Sequence, residues 1–118
     1  MRVYVRSNET TKLRYRIEKP SLKDYYFSGQ VDEATGRIWG DVTKLSPYDD
    51  ADYYWAKIEG NGLIKFIYNG KVKDKMQTHS YEEEEYDSVN DYFNDIIESA
   101  AEELANLNKD IKPRMMYN

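Results

Sequence analysis

Polar and apolar residues alternate along the first two thirds of the chain. Met1 to Arg6 and Lys12 to Glu18 both do so, the second with Leu13, Tyr15 and Ile17 on one side and Arg14, Arg16 and Glu18 on the other. A period of two is that of a half-buried strand, so each stretch is a predicted strand. Tyr25 to Val31 and Arg37 to Val42 follow, separated by Asp32-Glu33-Ala34-Thr35-Gly36. Gly36 there can supply the positive φ of a type I turn with a G1 bulge, which predicts a hairpin. Ser46-Pro47-Tyr48-Asp49-Asp50-Ala51-Asp52 reads as a loop, because Pro47 keeps Ser46 out of the helical region and the acids offer side-chain turn bonds.

Tyr53 to Glu59, Leu63 to Tyr68 and Lys71 to Met76 are the next three predicted strands, joined by Gly60-Asn61-Gly62 and by Asn69-Gly70. Asn-Gly between strand-like runs is a strong hairpin signal. A regular two-residue loop pairs Tyr68 with Lys71, Lys65 with Asp74 and Leu63 with Met76. One face then carries Leu63, Ile67, Val72 and Met76 around the Lys65–Asp74 pair, and the other carries Ile64, Phe66 and Tyr68 beside Lys71, Lys73 and Lys75.

Beyond Tyr81 the period changes. Val89, Tyr92, Phe93, Ile96, Ile97, Ala100, Leu104 and Leu107 recur at helical spacing, and Asp87 or Ser88 is placed to cap the start. Pro113 lies past its end. The expected fold is α+β: an antiparallel meander of about five to seven strands with one long C-terminal amphipathic helix across it. At 118 residues this is one domain, with a sheet region over 1–76, an acidic helix over 82–108 and a tail over 109–118.

Charge changes this picture. Through Lys75 the chain has fourteen Lys/Arg against eleven Asp/Glu, whereas Met76 to Asn108 has ten carboxylates and no Lys or Arg, so the net charge of −5 hides a sorted distribution. On a helical wheel Asp87, Asp91, Asp95, Glu98 and Glu102 fall within about 80° of arc, opposite the apolar stripe. Their axial spacing of roughly 4.5 to 6 Å is on the scale of the phosphates of one nucleic-acid strand, at ~3.4 Å. Such a ridge suits the basic groove of a nucleic-acid-handling protein, with Asp49, Asp50 and Asp52 as further acids. It carries no i, i+4 Lys or Arg to offset like-charge repulsion.

Other chemistries find little footing. Without cysteine there is no disulfide or thiolate metal site, His79 is the sole histidine, and Glu82 to Glu85 lacks the spacing of a calcium loop. Neither a Gly-x-Ser-x-Gly nor a phosphate-loop motif occurs. No catalytic residue, metal or cofactor is therefore assigned. With no apolar signal core and no span of ~18 apolar residues, no membrane partner is expected, and a cytoplasmic location is.

The acidic segment and the absence of catalytic motifs give the chain a composition similar to that of the small acidic proteins with which phages and mobile elements block restriction or CRISPR machinery, many of which mimic nucleic acid. The resemblance implies a non-enzymatic inhibitor bound to a basic, nucleic-acid-handling partner. Two alternatives are a single-strand nucleic-acid-binding module using Phe66, Tyr68, Lys71, Lys73 and Lys75, and a self-associating domain, since twelve tyrosines among seventeen aromatics suit interfaces as well as strands.

Overall fold

The turns between strands decide the topology. A computed structural model of the protein describes residues 13–45, 53–81 and 86–111. In it six strands form one sheet in sequential order, each antiparallel to the next: β1 (Leu13–Arg16), β2 (Tyr25–Val31), β3 (Ile38–Lys44), β4 (Trp55–Gly60), β5 (Leu63–Tyr68) and β6 (Lys71–Gln77). A 3-10 turn, Pro20–Leu22, connects β1 to β2, and the helix α1 (Val89–Asn108) closes the fold. This is the expected α+β meander. The predicted strand over Met1 to Arg6 and the loop over Ser46 to Asp52 lie outside the described residues.

Local chemistry accounts for the connections. In the β2–β3 turn the Asp32 carboxylate accepts from Ala34 N–H at 2.9 Å, Gly36 N–H donates to Asp32 O at 2.7 Å, and Gly36 takes φ 74°. Between β5 and β6, Asn69 and Gly70 have φ of 54° and 79°. Positive φ at both central residues is the type I′ geometry that matches strand twist and that Asn-Gly favours.

The β5–β6 register departs from the regular ladder after two pairs. Tyr68–Lys71 and Ile67–Val72 pair as expected, but then Phe66 meets Asp74, Lys65 meets Lys75 and Ile64 meets Met76. Lys73 is the extra residue of a bulge, and one added residue exchanges the faces of everything beyond it. Met76 thereby joins Ile64 over the core while Val72 points away. The expected Lys65–Asp74 pair does not form. Lys65 instead bonds Glu59, from β4, at 2.8 Å.

One face of the sheet is buried by α1. Phe27, Ile38, Val42, Ala56, Ile58, Ile64 and Phe66 from the strands meet Tyr92, Phe93, Ile96, Ile97, Ala100, Ala101 and Leu104 from the helix, with Leu22 of the 3-10 turn at the margin. Gly29 and Gly40 pair across β2 and β3, and the Phe27 ring lies over both. Phe93 packs edge-on against that ring at 5.1 Å and 87°. Of the two expected caps Ser88 is the one used, so the helix begins after it and not at residue 82. Ser88, with extended backbone, accepts from Asp91 N–H at 3.2 Å, which fixes the first helical residue as Val89. Tyr86 to Ser88 are not helical, and Glu82 to Glu85 lie outside the described residues.

Candidate interaction surfaces

Burying its apolar stripe forces α1 to present the opposite face outward. Asp91, Asp95 and Glu102 are exposed and Glu98 is half-buried on the outward side of α1, whereas Asp87 is exposed but precedes the Ser88 cap, so the helical wheel does not place it in the row. Two of them are already engaged. Lys19, beside the 3-10 turn, bonds Glu102 at 2.8 Å, and that bonded carboxylate raises the lysine pKa. Asp95 accepts from the Tyr86 hydroxyl at 2.5 Å and lies 3.6 Å from His79 Nε2. Part of the offset missing within the helix thus comes from residues outside it. Among the described residues, Asp87, Asp91 and Glu98 have no ion pair. Glu98 is near enough to Tyr15 to add to the effect of burial, which raises the phenol's pKa. The three acids Asp49, Asp50 and Asp52 lie outside the described residues.

The second expected surface is taken apart. Phe66 is fully buried under α1 and cannot stack on a ligand. Tyr68 and Lys71 share its side of the sheet, where Tyr68 stacks on Tyr54 at 4.9 Å, Lys73 sits in the bulge, and Lys75 points the other way. Alternation alone cannot tell which side of β5 the helix covers, because Leu63 and Ile67 are as apolar as Ile64 and Phe66.

The opposite sheet face gathers residues that no single motif flagged. Cross-strand pairing arranges them in rows. A central row runs Arg14, Ser28, Asp41, Lys57, Lys65 and Lys75 from β1 to β6. On one side of it lie Arg16 and Tyr26 and, on the later strands, Trp55, Ile67 and Val72; on the other lie Gln30, Trp39, Glu59, Leu63 and Gln77. The Arg14 guanidinium stands over the Tyr26 ring at 5.1 Å. Glu59 bridges Lys65 at 2.8 Å and Lys57 at 3.7 Å, and the bonded Lys65 ammonium holds its carboxyl below the usual range. Along this face Trp39 and Val72 are exposed and Ile67 is buried.

A third cluster joins the end of the sheet to the start of α1. His79 Nε2 and the Tyr86 hydroxyl are hydrogen-bonded, and Tyr92 donates to the His79 carbonyl at 3.0 Å. Tyr81 and Tyr92 pack at 5.6 Å, and Tyr86 and Tyr92 at 5.3 Å. The polar groups face one another, so the cluster fastens the helix entry. Among the described residues no group of three or more His, Asp or Glu is placed to hold a metal ion, and no helix is long and apolar enough to cross a membrane. No protein-family model, curated protein or solved structure matches the chain.

Proposed function

We propose that the protein is a non-enzymatic binding protein whose acidic helix face occupies the basic site of a nucleic-acid-handling partner, acting as an inhibitor in the manner of a nucleic-acid mimic. The observation that supports this most is the division of labour on α1. Its apolar stripe is consumed by the sheet, and the far side keeps four carboxylates, Asp91, Asp95, Glu98 and Glu102, with Asp87 exposed just before the Ser88 cap; Asp87, Asp91 and Glu98 have no ion pair among the described residues. Charge not held in ion pairs adds little to the fold and speeds and orients association with a surface of opposite sign.

The test is capture from bacterial lysate with the wild type and with Asp87→Asn, Asp91→Asn, Glu98→Gln, followed by mass spectrometry. These three changes leave the Lys19–Glu102 and Tyr86–Asp95 contacts in place, so the fold is kept while the ridge loses its free charges. The wild type alone should retain a DNA- or RNA-handling protein, more at ~50 mM than at ~150 mM salt, where the screening length shrinks to about 8 Å. Equal recovery by both forms would remove the mimicry reading.

A further inference from the structure

We propose that the sheet face turned away from α1 binds single-stranded nucleic acid, with the basic row contacting phosphates and Trp39 offering a stacking platform for a base. This surface differs from the one the sequence suggests and does not involve the acidic helix. Both tryptophans of the chain, Trp39 and Trp55, lie on it. Trp39 is 42 % exposed, and a large apolar ring turned to solvent contributes little to the core.

The charges are arranged against the interest of the sheet itself. Lys57 pairs directly with Lys65, and Lys65 with Lys75. Like charges opposite one another destabilise a sheet. Glu59 relieves the first pair, but Arg14, Arg16 and Lys75 have no carboxylate partner among the described residues. Counting the whole face, Arg14, Arg16, Lys57, Lys65 and Lys75 stand against Asp41 and Glu59. Adjacent strands are about 4.8 Å apart, so the row crosses the six strands over roughly 24 Å. That length accommodates a strand of several nucleotides, on the scale of the ~4–16 nucleotides held by small single-strand-binding folds. The flanking rows place aromatic surface beside this charge, with the Arg14 guanidinium plane and Tyr26 already stacked at one end.

Charge complementarity selects a polyanion, and Trp39 selects a single strand, because a duplex hides its base faces in the stack. The overall charge of −5 does not oppose this. The helix acids lie behind the sheet by about one helix diameter, ~10 Å, which equals the screening length at ~0.1 M salt.

The test is a titration of fluorescein-labelled twelve-residue oligo-dT and oligo-U with the purified protein at ~50 and ~200 mM salt, read by anisotropy and by tryptophan emission. Binding with quenched tryptophan is expected for one or both strands, and not for a duplex of equal length. Neutralising the row with Lys57→Gln, Lys65→Gln, Lys75→Gln should flatten the dependence of log K on log salt by about 2, at ~0.7 for each phosphate no longer neutralised. Trp39→Ala, a surface change that leaves circular dichroism as in the wild type, should weaken binding five- to a hundredfold. Asp87→Asn, Asp91→Asn, Glu98→Gln should not weaken it, which keeps this result separate from that of the lysate capture. Absence of binding at ~50 mM salt and ~100 μM protein would overturn the proposal. Binding unchanged by both the lysine and the Trp39 variants, or sedimentation showing the face occupied by a second copy's acidic helix, would do the same.

Discussion

Asn108 and Tyr54 form a side-chain-to-backbone pair that closes the helix onto the sheet. Tyr54 N–H donates to Asn108 Oδ1 at 2.7 Å and Asn108 Nδ2 donates back to Tyr54 O at 3.2 Å, while the same Nδ2 also donates to the Tyr25 hydroxyl at 3.1 Å. The carboxamide thus completes the backbone of Tyr54 just before β4 begins. It is the one buried polar side chain in the core among the described residues.

Asn108→Ala therefore strands a donor and an acceptor in a dry site. The expected cost is about 2–3 kcal/mol, a large share of the ~5–15 kcal/mol of a typical domain. Urea unfolding checks it, as a lower midpoint with an unchanged slope.

The Gly29–Gly40 pair under Phe27 predicts a loss from a gain of one methyl. A Cβ at Gly40 would stand 2.5 Å from the Ser28 carbonyl oxygen and 2.7 Å from the Phe27 ring. Overpacking of that kind costs about 1–3 kcal/mol. Phe93→Ala, which removes the ring packed on Phe27, should cost about 3–5 kcal/mol. Because both changes act through Phe27, their effects should not add, and thermal melts of the two single variants and the double variant give the coupling.

Burial raises the pKa of Tyr25 above 10.0, opposed in part by the hydrogen bond from Asn108. The sign follows from linkage. A folded-state pKa raised above the unfolded value gives stability that is fully present below 10.0 and is lost as pH rises through the folded value. Tyr25→Phe should start less stable, having lost the acceptor for Asn108, yet fall less steeply at alkaline pH. Urea unfolding across that range distinguishes the two slopes.

Lys19→Gln should leave stability within about 1 kcal/mol, since the pair with Glu102 is solvent-exposed. Freeing Glu102 adds a carboxylate to the ridge, so retention of a basic partner should strengthen. Weaker retention would count against the ridge as the working surface.

Much of this was legible in the sequence for reasons tied to particular residues. Asn69-Gly70 and Gly36 announced their turns because few residues tolerate positive φ, and the stripe from Tyr92 to Leu104 announced the helix because its period is unlike that of the strands. The bulge at Lys73 was not legible, since Val72 and Met76 suit either face until the core chooses one. Which side of β5 the helix covers was equally hidden, and with Phe66 under α1 and Lys75 on the opposite side the expected lysine–aromatic set does not assemble. The Lys19–Glu102 contact joins residues 83 apart, and the Asn108 carboxamide meets Tyr54 across 54 residues. Both are set by tertiary packing alone.

We propose that the charges sorted onto the two opposite faces recognise partners of opposite sign. Amide chemical-shift mapping of the isotope-labelled protein tests it most directly, with an oligo-arginine peptide and oligo-dT added in separate titrations. Shifts from the peptide are expected along Asp87 to Glu102 and shifts from the oligonucleotide at Lys57, Lys65, Lys75 and the Trp39 indole, with no overlap between the sets. Both probes moving the same residues, or neither moving any, would contradict it.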